Sequence, residues 1–375
     1  MNQKTAFIVL ENGIVLEGVS VGYSGVAFGE LVFNTAMYGY QEILSDPSYY
    51  NQMVVFTYPH IGNTGANSED DESVTPFARG VVINNAPCTT AHWRQEQSFI
   101  DYLIAHQIVG IAEVDTRHLT HTLREQGAMN ACIVSDGSLS PEEALLQVKT
   151  RPKMTGLDLA KVVSCKKPYV CHEAPWAEQH RIAKSHPYHV VVYDFGVKRS
   201  ILTALVGVGC RVTVVPAQTT AQEALALKPD GIFMSNGPGD PEPCTYAIEA
   251  IKHFLKIRIP LFGVCLGFQL LGLACGAQTK KMKFGHHGGN HPVIDARTKR
   301  VWITSQNHGF CVDEATLPDC LEITHRSAFD GTLQGISHRD APAFAFQGHP
   351  EAGPGPHDAR GLFSEFVTLL ENAAV

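Results

Sequence analysis

The sequence contains no long hydrophobic run, and this absence sets the first limit on its class. Of its 375 residues, 44% are hydrophobic and 18% are charged, as in ordinary globular proteins. No apolar stretch reaches the ~18–20 residues that a membrane-spanning helix needs. The N-terminus also lacks the basic start, apolar stretch and small-residue cleavage site of a signal peptide. We therefore expect a cytoplasmic protein without a membrane segment.

Clustered positive charge is missing as well. The chain has 37 acidic and 29 basic residues and a formal net charge of -8. It has no basic stripe of the kind that neutralises phosphates, so no nucleic-acid partner is expected. The phosphate-binding pattern GxxxxGK[ST] does not occur either.

The ten cysteines form no CxxC pair, which removes the zinc-ribbon and thioredoxin-type interpretations. Histidines cluster in the segment FGHHGGNH, residues 284–291, but no carboxylate or cysteine stands at ligand spacing there. We therefore predict no metal site. Most of the cysteines are expected to be small buried hydrophobic residues. Cys265 differs from them, because glycines stand on both sides of it in the sequence.

The pattern of the chain predicts two domains, at residues 1–150 and 189–375. Between them, residues 151–188 lose periodicity and contain four prolines, which indicates an interdomain connection. The first domain mixes short strand-like runs with helical stretches, so we predict a mixed α+β fold. After residue 188, short apolar runs alternate with amphipathic helical segments. This alternation predicts an α/β domain with a doubly wound, mostly parallel sheet and flanking helices.

Cys265 stands in the pentapeptide GVCLG, between a predicted buried strand and a predicted helix. A Gly-x-nucleophile-x-Gly turn at such a junction is the nucleophile elbow, which projects the central side chain over the sheet edge. The amides at the helix N-terminus favour a thiolate there. Taken alone, the pentapeptide is equally compatible with a buried cysteine in a glycine-rich turn.

Two further segments favour the catalytic interpretation. His349 and Glu351, in QGHPE, are two residues apart and point to the same side of an extended backbone. His349 could act as the base toward Cys265, with Glu351 orienting the imidazole. The loop SNGPGDP, residues 235–241, follows another apolar run, and the amides of Gly237 and Leu266 could form an oxyanion hole. Each segment alone could be purely structural, as a strand end or a turn.

With these three segments, residues 189–375 resemble a class I glutamine amidotransferase domain. The whole chain is similar to the small subunits of carbamoyl-phosphate synthetases. This narrower resemblance rests on FNTAMYGYQEILSDPSYY and TYPHIGNTGAN in the first domain, and on YDFGVKRSIL, KMKFGHHGGNHPV, SQNHGF and PEAGPGPHD in the second. Related amidotransferases for anthranilate or GMP synthesis lack the first domain.

The resemblance implies a set of residues that bind L-glutamine. They are Ser48, Gly237, Gly239, Leu266, Gln269, Asn307, Gly309 and Phe310. Ser48 belongs to the first domain, which the resemblance also assigns to partner contact. Two positions depart from the family pattern: Phe268 replaces a histidine of GxCLGHQ, and Ser200 replaces the asparagine of DFGxKRN. We expect the first to change packing near the elbow and not to remove chemistry, and the second to alter a local hydrogen bond.

The resemblance implies a glutaminase that passes ammonia to a large subunit as a heterodimer or a higher oligomer of heterodimers. The large subunit would use ATP, Mg²⁺ and bicarbonate to make carbamoyl phosphate for arginine and pyrimidine synthesis, and this chain would hold no cofactor. Two alternatives remain at this stage. One is another cysteine hydrolase, such as a peptidase or a γ-glutamyl hydrolase, and the other is a regulatory subunit with a silent site.

Overall fold

The computed structural model describes residues 5–87, 91–172 and 187–373. The chain divides into two compact units. The first consists of Met1–Met154 and Lys283–Gly288, and the second of Thr155–Met282 and Gly289–Val375. Among the helices of the described ranges, none combines the length and the apolar character needed to cross a membrane.

The first unit is a seven-stranded sheet that closes on itself, in the order β1-β2-β6-β5-β4-β3-β7. The strands are β1 (Thr5–Leu10), β2 (Val15–Gly22), β3 (Val26–Asn34), β4 (Gln52–Phe56), β5 (Gly80–Val82), β6 (Val109–Ala112) and β7 (Met129–Val134). The helices are α1 (Tyr40–Ser45), α2 (Phe99–Ala105), α3 (Thr116–Gln126) and α4 (Pro141–Thr150). Alternate residues of several strands, such as Ile8, Val55 and Ile133, are buried in one apolar cluster. Side chains that alternate in this way share one face of the sheet.

The second unit contains a ten-stranded sheet. Its strands are β8 (Tyr169–Cys171), β9 (Tyr188–Asp194), β10 (Cys210–Pro216), β11 (Gly231–Met234), β12 (Leu261–Val264), β13 (Thr279–Asp295), β14 (Val301–Val312), β15 (Leu321–Ser327), β16 (Leu333–His338) and β17 (Ala343–Phe346). The order is β14-β13-β15-β16-β17-β12-β11-β9-β10-β8. The central strands from β17 to β10 are parallel. Antiparallel strands extend this centre on both sides, β8 on one and β16 on the other.

Helices cover both faces of the parallel strands. They are α5 (Ala160–Val163), α6 (Arg199–Gly207), α7 (Ala221–Ala226), α8 (Thr245–Ile257), α9 (Leu266–Cys275) and α10 (Gly361–Ala373). On β9, Val190 and Val192 pack in one apolar cluster with α6 and α10. Val191 and Tyr193 pack in another cluster with α7, α8 and α9. The predicted doubly wound α/β fold is therefore confirmed, with antiparallel additions.

Two segments have more regular structure than the sequence predicted. Residues 33–50 are rich in aromatic and small polar residues, which indicates an ordered loop; in the structure they contain α1 and a short 3-10 helix, Pro47–Tyr49. The predicted connection, residues 151–188, contains α5 and β8, and β8 pairs with β10 at the edge of the second sheet. Edge strands this short give little periodic signal in a sequence. The centre of the predicted connection, residues 173–186, lies outside the described residues.

Candidate active site

Four adjacent parallel strands, β17, β12, β11 and β9, are each followed by a segment that carries candidate site residues. Strand β12 leads into Cys265, and β17 leads into residues 347–351. Strand β11 leads into residues 235–241, and β9 leads into residues 195–198. Because the carboxyl ends of parallel strands meet at one edge of a sheet, the fold collects these segments at a single place.

Cys265 has the backbone geometry of a nucleophile elbow. It lies between β12 and α9 with φ 54° and ψ −101°, and such angles typically cost a non-glycine residue ~1–3 kcal/mol. The Cys265 amide donates to the Phe346 carbonyl at 2.9 Å. A Cβ atom on Gly267 would lie 2.2 Å from the Met234 carbonyl oxygen. The turn therefore requires glycine at position 267, as the sequence pattern predicts.

The Cys265 thiol is buried at the start of α9. Its exposed fraction is 2%, and Sγ donates a hydrogen bond to the Asn307 carbonyl at 3.5 Å. Leu266 opens the helix, so its amide has no acceptor inside the helix. Such an amide can donate to an oxyanion that forms next to the sulfur. Cys265, Leu266 and Asn307, three of the predicted site residues, thus lie together.

His349 and Glu351 form a buried pair in the segment after β17. His349 Nδ1 lies 2.6 Å from Glu351 Oε1, and the His349 amide donates to the Ser305 carbonyl at 2.9 Å. The other ring nitrogen, Nε2, is buried and makes no hydrogen bond of normal geometry within the described residues. The Cys265 thiol nevertheless acts electrostatically on the ring. Glu351 therefore orients an imidazole whose second nitrogen is available to the sulfur.

Lys198 was not assigned a role from the sequence. It precedes α6 and is 2% exposed, and its Nζ donates to Glu351 Oε1 at 2.9 Å and to the Ala352 carbonyl at 2.8 Å. Glu351 Oε1 therefore accepts from both Lys198 and His349. The signal available in the sequence was a lysine directly after a buried strand, where parallel sheets place functional groups.

This pairing determines the charges at the site. Burial lowers the pKa of His349, but the Glu351 carboxylate and the Cys265 thiol outweigh burial and raise the pKa to about 10. Burial raises the pKa of Glu351, but Lys198 and His349 outweigh it and lower the pKa to about 2. At neutral pH the row is therefore a lysine cation, a carboxylate and an imidazolium, the last beside the Cys265 sulfur. A protonated imidazole can supply a proton to a leaving amine.

The loop SNGPGDP packs against both the elbow and Lys198. The Ser235 carbonyl accepts from the Gly267 amide at 3.0 Å, and the Asn236 side chain accepts from the Lys198 amide at 3.2 Å. A Cβ atom on Gly237 would lie 2.2 Å from the Phe195 carbonyl oxygen, so only glycine fits there. Gly239 follows two residues later, at φ 95°. The loop is thus held close to Cys265, where the predicted oxyanion hole requires it.

Gln269 lies one helical turn after Cys265, and its side chain is buried. Its Nε2 donates to the Phe310 carbonyl at 3.0 Å and to Gln347 Oε1 at 3.2 Å. Phe310 is also buried, and Lys281 Nζ lies 5.0 Å from the centre of its ring. Gly309 lies beside the same lysine. Gln269 therefore links the elbow helix to β14, the strand that carries Asn307, Gly309 and Phe310.

The structure also shows the local contacts of Ser48, Phe268 and Ser200. Ser48 lies in the first unit, in the helix Pro47–Tyr49, and its amide donates to Asp46 Oδ1 at 2.8 Å; its role in binding glutamine stays a prediction. Phe268 is fully buried in the apolar cluster that includes Met234, so its packing is that of a core residue. Ser200 lies in the first turn of α6, and its carbonyl accepts from Thr203 Oγ1 at 3.1 Å.

Comparison with known proteins assigns a family to both parts of the chain. Residues 191–369 match the model of "Glutamine amidotransferase class-I". Residues 8–133 match that of "Carbamoyl-phosphate synthase small chain, CPSase domain". The carbamoyl phosphate synthase small chain of Vibrio cholerae is 58% identical over 373 residues, which cover 98% of either chain. The small chain of Thioalkalivibrio sulfidiphilus is 56% identical over 378 residues, with 100% of both chains covered, and that of Escherichia coli is 55% identical over 373 residues, with 98% of both covered. The chain belongs to the family of carbamoyl phosphate synthase small chains, and its second unit carries the class-I glutamine amidotransferase domain of a glutamine-hydrolysing carbamoyl-phosphate synthase.

Proposed function

We propose that this chain hydrolyses L-glutamine through a γ-glutamyl thioester on Cys265 and passes the ammonia to a large subunit. The observation that carries the proposal is the buried Cys265–His349–Glu351 arrangement at the elbow. The proton of Cys265 passes to His349 Nε2, and the resulting thiolate attacks the carboxamide carbon. The oxyanion is held by the amides of Gly237 and Leu266.

The same imidazole serves both halves of the reaction. As the C–N bond breaks, protonated His349 donates its Nε2 proton to the leaving nitrogen, and ammonia departs. The now neutral His349 takes a proton from water, and the hydroxide attacks the thioester. The C–S bond breaks, the Cys265 thiolate leaves beside the protonated His349, and glutamate is released. Glu351 keeps the ring oriented in both steps, and Lys198 keeps Glu351 ionised.

The large subunit would consume the ammonia. It would use two ATP, Mg²⁺ and bicarbonate to make carbamoyl phosphate for arginine and pyrimidine synthesis, while this chain itself holds no cofactor. The family and the absence of a GxxxxGK[ST] pattern in the chain support this division of labour. We place the pair in the cytoplasm, as a heterodimer or a higher oligomer of heterodimers.

The first test is glutamate release by the purified chain. In the second, the chain is incubated with radioactive glutamine and quenched in acid, and the labelled peptide is identified. We expect label on the peptide that contains Cys265, and no label on Cys265→Ser. Cys210→Ser, a buried cysteine on β10, is the control and should behave as wild type. Glutamate release by Cys265→Ser within a few-fold of wild type would overturn the proposal.

The same assay separates the two alternatives. A peptidase or γ-glutamyl hydrolase would turn over γ-glutamyl peptides and would not be acylated by free glutamine. A silent regulatory subunit would release no glutamate, alone or with its partner. The intact Cys265, His349 and Glu351 argue against the second alternative.

A further inference from the structure

A second group of reactive side chains lies at the far end of the elbow helix. Cys275 is the last residue of α9, Cys320 directly precedes β15, and His338 is the last residue of β16. The two sulfurs and a ring nitrogen of His338 all lie within 4.8 Å of one another, and all three residues are partly buried. Since α9 has ten residues, this group is about 15 Å along the helix from Cys265.

The first interpretation of two thiols and an imidazole is a metal site, but the hydrogen bonds of His338 oppose it. His338 Nδ1 accepts from the amides of Asp340 at 3.1 Å and Ala341 at 2.9 Å. A neutral imidazole has one nitrogen with a free lone pair, so Nε2 carries the proton. In a metal-bound histidine the second nitrogen instead donates to a carboxylate, a carbonyl or a water. His338 is therefore not prepared as a ligand.

Without the histidine, the group is a pair of neighbouring thiols. The Cys275 and Cys320 sulfurs lie within 4.8 Å of each other, and both residues are partly exposed. Cys320 lies in a turn, where its carbonyl accepts from the Arg339 amide at 2.9 Å. Disulfides are rare in cytosolic proteins, and those that do form there are usually transient and catalytic or redox-sensing.

We propose that Cys275 and Cys320 are a redox modification site that forms a reversible intramolecular disulfide with a low-molecular-weight disulfide as oxidant. One thiolate of the pair attacks a sulfur of the oxidant RSSR, the S–S bond breaks, and RS⁻ leaves. The second protein thiolate then attacks the mixed disulfide and releases the other RS⁻. In total, two protein thiols are oxidised and one RSSR is reduced to two RSH.

The position of this bond gives it a structural effect. It joins the C-terminal end of α9, the helix that begins after Cys265, to the start of β15. Strand β15 pairs with β16, and β16 pairs with β17, which leads to His349. The disulfide would therefore tie together the elements that carry the candidate nucleophile and base, and raise the unfolding temperature of the second unit.

The experiment exposes the full chain to buffers with increasing ratios of oxidised to reduced glutathione. Free thiols are then blocked with N-ethylmaleimide, and the protein is digested without reduction. We expect a cross-linked pair of peptides containing Cys275 and Cys320, lost on addition of dithiothreitol, with a higher unfolding temperature for the oxidised form. Cys275→Ser and Cys320→Ser should each give a mixed disulfide with glutathione and no rise in unfolding temperature.

Cys171→Ser, a partly exposed cysteine on β8, is the matched control and should leave the cross-link intact. Mixed disulfides on both wild-type cysteines without a cross-link would overturn the proposal. Stoichiometric zinc binding would also overturn it. If one equivalent of zinc protects both thiols from alkylation, and Cys275→Ser, Cys320→Ser and His338→Asn each lose that zinc, the group is a metal site.

Discussion

At the scale of single residues, the buried row of Lys198, Glu351 and His349 sets the charges beside Cys265. A carboxylate in an apolar interior is costly unless it is paired. Here one oxygen of Glu351 accepts from both a lysine and a histidine. This arrangement keeps the carboxylate ionised and the imidazole protonated, the states that the proposed first step requires.

The Lys198–Glu351 pair should contribute far more to stability than a surface pair of the same geometry. Lys198→Met would leave a buried carboxylate with one partner fewer, and breaking such pairs typically costs ~3–5 kcal/mol in unfolding free energy. Lys252→Met is the matched control. Its Nζ lies 2.8 Å from Glu249, but its side chain is 49% exposed, so we expect a loss of about 0.5 kcal/mol or less. Urea unfolding at pH 7 measures both.

The loss of unfolding free energy in Lys198→Met should depend on pH in a definite direction. The pKa of Glu351 is lowered from 4.5 to about 2, so the stabilisation is fully present above pH 4.5 and is lost as the pH falls through about 2. The difference in unfolding free energy between wild type and Lys198→Met should therefore decrease below pH 4.5. A difference that stays constant down to pH 2 would show that Lys198 acts only through packing.

The roles of His349 and Glu351 predict different kinetic defects. His349→Asn should slow glutamate release by ~10²–10⁴-fold, the usual worth of a placed proton donor, while Glu351→Gln should cost less. Without the carboxylate, burial dominates and the pKa of His349 falls. The alkaline limb of kcat/KM should thus move to lower pH in Glu351→Gln. A larger loss for Glu351→Gln, with no shift of that limb, would contradict these roles.

At the scale of elements, the elbow depends on the close approach of α9 to β11. A Cβ atom on Gly267 would lie 2.2 Å from the Met234 carbonyl, and neither backbone can move without distorting the strand or the helix. Cys265 itself has a positive φ of 54°. The strained turn is held in place by the packing on both sides of it.

Gly267→Ala should therefore abolish glutamate release and lower the unfolding temperature. Gly361→Ala is the control, because Gly361 also begins a helix of the second unit but has no atom within 4 Å of its would-be Cβ. That substitution should be neutral or slightly stabilising. Differential scanning calorimetry and the glutaminase assay give the two readouts. Wild-type activity in Gly267→Ala would show that the elbow accommodates a Cβ atom at position 267.

At the scale of the whole molecule, the proposed division of labour makes the ammonia source separable from its use. Cys265→Ser in complex with the large subunit should lose glutamine-dependent synthesis of carbamoyl phosphate and keep ammonia-dependent synthesis, because only the thioester is lost. The measurement is carbamoyl phosphate formed from each nitrogen source at equal protein concentration. Loss of both activities would indicate that the substitution disturbs the complex.

Binding of the partner should also accelerate glutamine hydrolysis. If the large subunit binds the catalytically competent conformation of the chain more tightly than other conformations, it shifts the population toward that conformation. A tenfold increase in turnover needs only about 1.4 kcal/mol of differential binding. We expect faster glutamate release at saturating glutamine when the large subunit, ATP and bicarbonate are present. An unchanged turnover would show that the site of the free chain is already fully competent.

The sequence by itself determined the α/β class of the second unit and the choice of Cys265 as the candidate nucleophile. Short apolar runs such as residues 189–193, alternating with amphipathic segments, indicate strands buried on both faces, and the pair of glycines around Cys265 permits a turn that few other residues allow. These are local properties, set by side-chain periodicity and backbone sterics. For the same reason, helix α8 (Thr245–Ile257) shows helical spacing in the sequence, and its residues Ala247, Ala250, Ile251 and Phe254 are buried.

Only the tertiary structure decided which distant residues meet. The Lys198–Glu351 ion pair joins segments 153 residues apart, and no local rule connects them; the order of the parallel strands brings them together. The same holds for the short edge strand β8 and for the neighbouring thiols of Cys275 and Cys320. Pairing across a sheet depends on topology and packing, which one sequence records only indirectly.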